Sequence, residues 1–516
     1  MTDLPSKVLV FIKDFTGRGA DSFHWLHNDC LVETTAEEVV AFPGAVICHD
    51  FWMIRDALYD KAGDLPATVI DIDEFKISIS GNPDDRINRE KLDITNELSA
   101  FGATAETCAA YKRMFNRGIP FDFDVATNAA NAIAQFYIAL CKKAQEDGEY
   151  DRFFKVEVPV YRLLQKAMAA GITIDATGLS SMRREAEHDY FLCLKNYSAK
   201  HDMPLETPLK SAIETKLLAE GFELDGVSTE YVLEFVLHKD NFGTDTIALQ
   251  EFDAAKRVLS SLTLSSGRTR PLIDVFGSRT SRVHLRSPPL QNIAKKYRSI
   301  ISAQDGAKLC YVDYDQYEVG IMAALSQDPE LAVLYAEGDM YALFATAHLG
   351  LEGNRKAAKQ LFLSYAYGMS RTALIDAAVA LGAERARAKE AFRLFAKYEE
   401  WKKEVCASFK NEGRISTVFG NHFKRTKDGA LTGKERRSAV SQVVQGTASL
   451  IFKKALLEVD KIDDVRIVLP MHDALLFEHR QAGTPSKVVA AFEGVMTSVL
   501  TDRITGKASI GDFVPG

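Results

Sequence analysis

The stretch Val465-Arg-Ile-Val-Leu-Pro-Met-His-Asp-Ala-Leu-Leu-Phe-Glu478 constrains this chain more than any other. Two apolar runs flank a tight polar break, the pattern of a β-hairpin. The break carries His472 and Asp473. A hairpin tip holds a carboxylate at a fixed, semi-exposed point, which suits an acid that binds a metal ion and still meets a substrate. The same residues also read as a turn Asp beside a solvated His, so the remaining sequence has to decide.

At 516 residues the chain has room for about three domains. With 47% hydrophobic and 26% charged residues it is of the globular class. No apolar run reaches membrane-spanning length and no signal-peptide pattern opens the chain, so a cytoplasmic protein is expected, bacterial or in a phage-infected host. The seven cysteines lie apart without a C-x-x-C pair, which argues against a zinc module or a disulfide framework. A net charge of −8 does not mark a nucleic-acid binder. A cleft needs only local basic charge, however, and basic residues gather after residue 265: Arg268 and Arg270, Arg279 to Arg286, Lys295 to Arg298, Lys424-Arg425, and Lys434 to Arg437.

Residues 1–150 alternate short apolar strands (7–12, 44–48, 67–72) with a helix over 126–143, an α/β pattern. Residues 151–270 read as helices over 158–170, 176–201, 209–220 and 246–262, with Gly171 a C-cap. Beyond 271, the strand 308–312 delivers Asp313. Asp315 and Glu318 have capping-box spacing at the next helix. Arg355, Lys359 and Leu363 share a helix face over 354–367, where two cations can grip a triphosphate or simply be solvated. The helix 436–459 contains Gly446, whose propensity cost of about 1 kcal/mol points to close approach by a neighbour. If Asp313 and Asp473 meet, they can hold two divalent ions for nucleotidyl transfer, with Arg355 and Lys359 neutralising the phosphates.

These pieces together resemble family A DNA polymerases. Asp313-Tyr-Asp-Gln-Tyr-Glu318 resembles motif A, Arg355-x-x-x-Lys359 with Tyr367-Gly368 resembles motif B, and His472-Asp473 resembles motif C. Thr280-Ser-Arg282 with Pro288-Pro-Leu-Gln-Asn-Ile293, and Gln445-Gly-Thr-Ala448, resemble two further segments of the family. The resemblance implies an α+β and α/β multidomain fold: a right-hand polymerase with an N-terminal RNase H-like exonuclease-type domain. Its implied limits are exonuclease-like 1–150, thumb 151–270, palm 271–334, fingers 335–430 and palm again 431–516. It implies a DNA-directed DNA polymerase of replication or repair that uses two Mg²⁺ ions, with Mn²⁺ an alternative. Its partners would be primer-template DNA, dNTPs and an unnamed processivity or replisome protein, with no membrane.

The implied roles follow the motifs. Asp313 and Asp473 would be the metal ligands, and Lys359 a general acid for pyrophosphate. Arg355, Lys359, Leu363, Tyr367, Gln316 and Glu318 would meet the nucleotide, Glu318 by blocking a ribose 2′-hydroxyl. Arg282, Gln291, Arg437, Gln445 and His472 would touch DNA. The sequence departs from the family at Ala474, where a second acid is usual, and at Leu363, Ser364, Gly320 and Ser441. Leu363 lacks the hydroxyl linked in the family to dideoxynucleotide acceptance, so discrimination against chain terminators is expected. Asp315 is either a helix cap or a replacement for the missing acid. In the N-terminal part Asp14-Phe-Thr16 stands where Asp-x-Glu is usual, His49-Asp50 with Leu58 resembles the second exonuclease motif but has Ile54 at its usual Asp position, and Asn131 stands for the third motif's Asp, so a domain without proofreading is expected, as is a chain lacking an upstream 5′-nuclease domain. Two alternatives stay open: a catalytically weakened DNA-binding scaffold, suggested by Ala474, and a related RNA polymerase, opposed by Glu318.

Overall fold

Short apolar runs bury Val8, Leu9, Val46, Ile47, Val69 and Ile70 and so build the first sheet. The computed structural model describes residues 5–13, 21–89, 92–115, 120–219, 221, 229, 233 and 241–514. Asp14 and Thr16 lie outside these. Among the described residues the first sheet runs β3-β2-β1-β4-β5, with β1 (Ser6–Ile12), β2 (Ser22–His27), β3 (Cys30–Thr34), β4 (Ala45–Cys48) and β5 (Thr68–Asp71). Strands β1, β4 and β5 are parallel, while β2 and β3 return antiparallel. His49-Asp50 and Asp71 to Asp73 therefore leave the sheet at the same edge. Strands β2 and β3 were not legible: β2 buries the polar His24 and β3 is mostly exposed, so neither alternates cleanly. The helix Phe123–Glu146 packs Ala129, Ile133, Phe136 and Leu140 into the core that holds Val8, Ile47 and Ile70, and Asp122 caps its start at Val125 N–H (3.0 Å).

The helix Val158–Ala170 has the predicted limits, and Gly171 ends it at φ +77°. It packs against β5 and the helix Phe51–Ala62 on one side and a long C-terminal helix on the other, so it belongs to the junction. The helices Ala176–His201, Lys210–Ala219 and Asn241–Ser261 instead close on their own core of Tyr190, Tyr197, Leu217, Phe242 and Leu249. At their base β6 (Ile172–Thr173) pairs with β7 (Arg268–Thr269).

Next, β8 (Leu272–Asp274) pairs with β9 (His284–Ser287). The second main sheet is antiparallel, in the order β13-β14-β10-β15. Its strands are β10 (Lys308–Tyr314), β13 (Arg466–Met471), β14 (Ala474–His479) and β15 (Ala508–Gly511). Between β10 and β13 come the helices Arg355–Ala366, Arg371–Ala380, Arg385–Ala391 and Ala396–Glu412, the hairpin β11 (Arg414–Thr417) and β12 (Gly420–Lys424), and the helix Gly433–Val459. The capping box that starts this last helix is Thr432 with Glu435. The box expected from Asp315 and Glu318 does not form. Gln316, at φ +51°, is the N-cap and makes no capping bond, Asp315 accepts from Ser509 Oγ (2.8 Å), and Glu318 is drawn elsewhere. Gly446 does mark a close approach: a Cβ there would stand 2.8 Å from Thr417 Cγ2 of β11.

A buried ion cluster locks the first domain to the second sheet's helix. Glu149 accepts from Arg152 (2.7 Å) and from the backbone of Asn421 (2.8 Å) and His422 (2.9 Å). Glu157 joins Arg152 (2.6 Å) to Lys453 (2.7 Å). Charges taken this far from water persist only when fully paired. No helix among the described residues is long and apolar enough to cross a membrane.

Candidate active site

The hairpin read from the sequence is present. Met471 pairs with Ala474, so His472 and Asp473 form a two-residue turn between β13 and β14, with His472 at φ +57°. Arg466 and Glu478 pair across the strands (2.6 and 2.8 Å) and help hold the register. On the other side of β14, Ala474 pairs with Asp313 of β10. Asp473 is therefore one residue from Asp313's cross-strand partner, and the two carboxylates share one end of the sheet. Burial, then Asp473 and Asp315, push the Asp313 carboxyl up to about 6. Burial likewise raises Asp473, against the pull of Arg282. Asp473 and Asp315 crowd negative charge beside Asp313, as Glu318 does beside Asp473, and this donor set fits divalent ions.

Both aspartates line a cleft of ≈ 620 Å³ with Arg355, Lys359 and Leu363 on its far wall. The helix Arg355–Ala366 is capped by Asn354, and Tyr367 is its C-cap residue, so the i, i+4 spacing turns Arg355, Lys359 and Leu363 toward the aspartates. The guanidinium of Arg355 lies 5.6 Å, and the ammonium of Lys359 5.7 Å, from the ring centre of Tyr341. Arg355 also pairs with Asp339. The sequence reading passed over Asp339, Tyr341 and Lys507 of this cleft. Asp339 was findable as the N-cap of the helix Met340–Leu343.

Glu318 gathers three more of the predicted residues. Its carboxylate accepts from Arg282 (2.6 Å), Gln445 Nε2 (3.2 Å) and the Tyr367 hydroxyl. Burial opposes the charge of Arg282, but Asp473 (3.9 Å) and Glu318 more than offset it and hold its proton tighter than usual. His472 is exposed beside His284, with ring centres 6.5 Å apart. Arg437 reaches the C-terminal end of the Arg355 helix, 3.5 Å from where a Cβ on Gly368 would stand.

Two predicted residues sit differently. Gln291 is only 7% exposed, and its side-chain oxygen holds the Leu285 N–H of β9, so it braces β9 rather than presenting itself to DNA. Gln316 lines the cleft, but its amide oxygen accepts from Met340 N–H (2.8 Å) and its nitrogen donates to Gly338, so it fastens the 338–340 turn. The departure at Gly320 has a packing cause: a Cβ there would lie 2.6 Å from Met496 Cε and 2.8 Å from the Tyr335 ring.

The comparisons with known proteins bear on this geometry. The sequence pattern of DNA polymerase family A matches residues 248–510. This chain belongs to DNA polymerase family A. Among its relatives, DNA polymerase I of Rhizobium leguminosarum is 25% identical over 416 residues, 69% of this chain and 39% of the relative. That of Pseudomonas aeruginosa is 29% identical over 373 residues, 63% and 40%. That of Aquifex aeolicus is 25% identical over 361 residues, 63% and 60%. The chain thus spans about 40–60% of the length of these relatives. The fold is that of the POL domain of Pol1 from M. smegmatis, solved in complex with DNA primer-template and dNTP (TM-score 0.76, 19% identity, 98% of this chain and 94% of that one).

Proposed function

We propose that this chain is a template-directed DNA polymerase that extends a primer 3′ end with dNTPs and does not proofread. The observation that carries the reading is the cleft itself, with Asp313 and Asp473 on one wall and Arg355 and Lys359 on the other. Asp313 and Asp473 would hold two divalent ions, Mg²⁺ by preference. When bound, such ions lower the pKa of the attacking hydroxyl and support the leaving oxygen.

The chain's own residues do the rest. Arg355 and Lys359 would bind the triphosphate and orient it toward the aspartates, and Lys359 Nζ would give a proton to the departing pyrophosphate. Glu318, fixed by three donors, forms a rigid wall where a ribose 2′-hydroxyl would lie. Arg282, Gln445, His472 and Arg437 would be the DNA contacts, with Arg282 and Gln445 bonded to Glu318 of the cleft and His472 next to Asp473. Ala474 is buried opposite Asp313 (1% exposed) and adds no carboxylate, so catalysis rests on the two aspartates. In the first domain, the exonuclease position at Ile54 is an apolar core residue (3% exposed), which supports the absence of proofreading.

The test is a labelled primer on a DNA template with Mg²⁺ and either dNTPs or rNTPs. Extension with dNTPs only, and no shortening of the primer when nucleotides are withheld, is the expected result. Preferential use of rNTPs would turn the reading to an RNA polymerase. Binding without extension would turn it to a DNA-binding scaffold.

A further inference from the structure

A groove of ≈ 1150 Å³ lies outside the polymerase cleft and shares no lining residue with it. Its walls come from the helix Gly433–Val459, the helix Thr484–Val499, the tip of the β11–β12 hairpin and residues 148–156 of the first domain. Two of its features have no use inside the chain. Val418 and Phe419 form the two-residue turn between the paired Thr417 and Gly420, a place that ordinarily takes Gly, Asn or Asp. Val418 is 62% exposed there. Gly494 stands within the helix Thr484–Val499, where Gly costs about 1 kcal/mol against Ala. No other part of the chain comes within 4 Å of where its Cβ would be, so internal packing does not require it. Lys487, Ala490, Ala491, Gly494 and Ser498 share that face of the helix and line the groove. Such small side chains leave room for a second backbone to approach closely.

The charges of the lining do not cancel. Asp151 pairs with Lys155 (2.8 Å), Glu458 is taken by Lys461 (2.7 Å), and Arg152 is bound by Glu149 and Glu157. Lys454 and Lys487 are left without a carboxylate partner among the described residues. The half-buried ammonium of Lys454 instead lies 4.1 Å from the ring centre of Phe419, and burial loosens its proton with no carboxylate to oppose it. The groove thus combines apolar side chains with two cations that lack counter-charge. Nucleic acid does not suit it, because a phosphate backbone is held by many cations on a polar surface, and here two lysines stand among apolar side chains.

We propose that this groove docks a short, acidic, amphipathic segment of a partner protein, with apolar side chains on Phe419, Leu457 and Val495 and carboxylates on Lys454 and Lys487. The apolar contacts supply the buried area, and the two lysines select acidic over basic segments. A partner held there leaves every residue that lines the polymerase cleft free for substrate.

The test selects a display library of random short peptides on the whole chain and measures the enriched peptides by fluorescence anisotropy. Peptides that combine Asp or Glu with Leu, Ile or Phe are expected, one bound per chain. Lys454→Gln with Lys487→Glu should weaken them by roughly tenfold or more. Gly494→Gln should abolish binding without lowering Tm, because it replaces a helical Gly and meets no other part of the chain. That combination separates docking from a structural role. The Tm of the lysine double variant checks its fold, and Lys487→Glu alone replaces it if it is not folded. Saturating primer-template DNA should leave peptide binding unchanged. No enriched peptide, enriched peptides without an acidic excess, binding indifferent to these substitutions, or displacement by DNA would overturn the proposal. A parent chain that dimerises in sedimentation while Gly494→Gln stays monomeric would assign the groove to a second copy and overturn it as well.

Discussion

Tyr367 donates its hydroxyl hydrogen bond to Glu318, so the C-terminal cap of the helix Arg355–Ala366 is tied to the first turn of the helix Tyr317–Ser326. The same carboxylate holds Arg282 and Gln445. Tyr367→Phe should therefore cost about 1–2 kcal/mol of stability, the worth of a hydrogen bond to a charged group in a partly exposed site. It should also lower discrimination against rNTPs, because Glu318 loses one of its three fixed partners. Denaturant unfolding and single-nucleotide insertion check the two parts separately.

The raised carboxyl of Asp313 gives a pH prediction. The folded value is about 6, above the ordinary 3.8. A carboxyl raised on folding loses stability as pH climbs from its unfolded value through its folded one, because the unfolded chain releases that proton first. Metal-free protein should thus be less stable at pH 7 than Asp313→Asn, with the gap closing below pH 4. Urea midpoints at the two pH values measure it, and the same midpoint at both would contradict it.

Glu149 anchors the first domain to the hairpin of β11 and β12. It is 0% exposed and is held well below the usual carboxylate range; burial acts against this, and His422, Arg152 and two backbone N–H groups outweigh burial. Glu149→Ala takes one of Arg152's two carboxylate partners and leaves the buried Asn421 and His422 N–H groups without their acceptor, and should cost about 3–5 kcal/mol, the penalty for breaking a buried ion pair. A fall in the urea midpoint without a change in m-value is the expected signature.

Gly320 is one of the positions at which the sequence departs from the family pattern. Met496 and Tyr335 fill the space any side chain would need. Gly320→Arg should destabilise by about 3 kcal/mol or more through overpacking. A thermal melt indistinguishable from that of the parent would show that the helix can shift.

Much of this was legible because the decisive signals are local. The apolar runs around His472-Asp473 gave the hairpin, and the Arg355, Lys359, Leu363 spacing gave one helix face. What escaped depends on residues distant in sequence. Gln291 looked like a DNA contact until β9 folded over it, and the Asp315–Glu318 cap gave way to stronger partners, Ser509 for one and Arg282 with Tyr367 for the other. The real capping box at Thr432 and Glu435 was readable but lay just before the helix limit taken from the apolar pattern.

Primer extension with Mg²⁺ and dNTPs by the parent chain and by Asp473→Ala tests the central claim most directly. The two-aspartate account predicts templated extension by the parent and a loss of about 4 kcal/mol of transition-state stabilisation, roughly a thousandfold, in the variant. Extension that persists at the parental rate in Asp473→Ala, or a parent that binds primer-template and adds nothing, would contradict it.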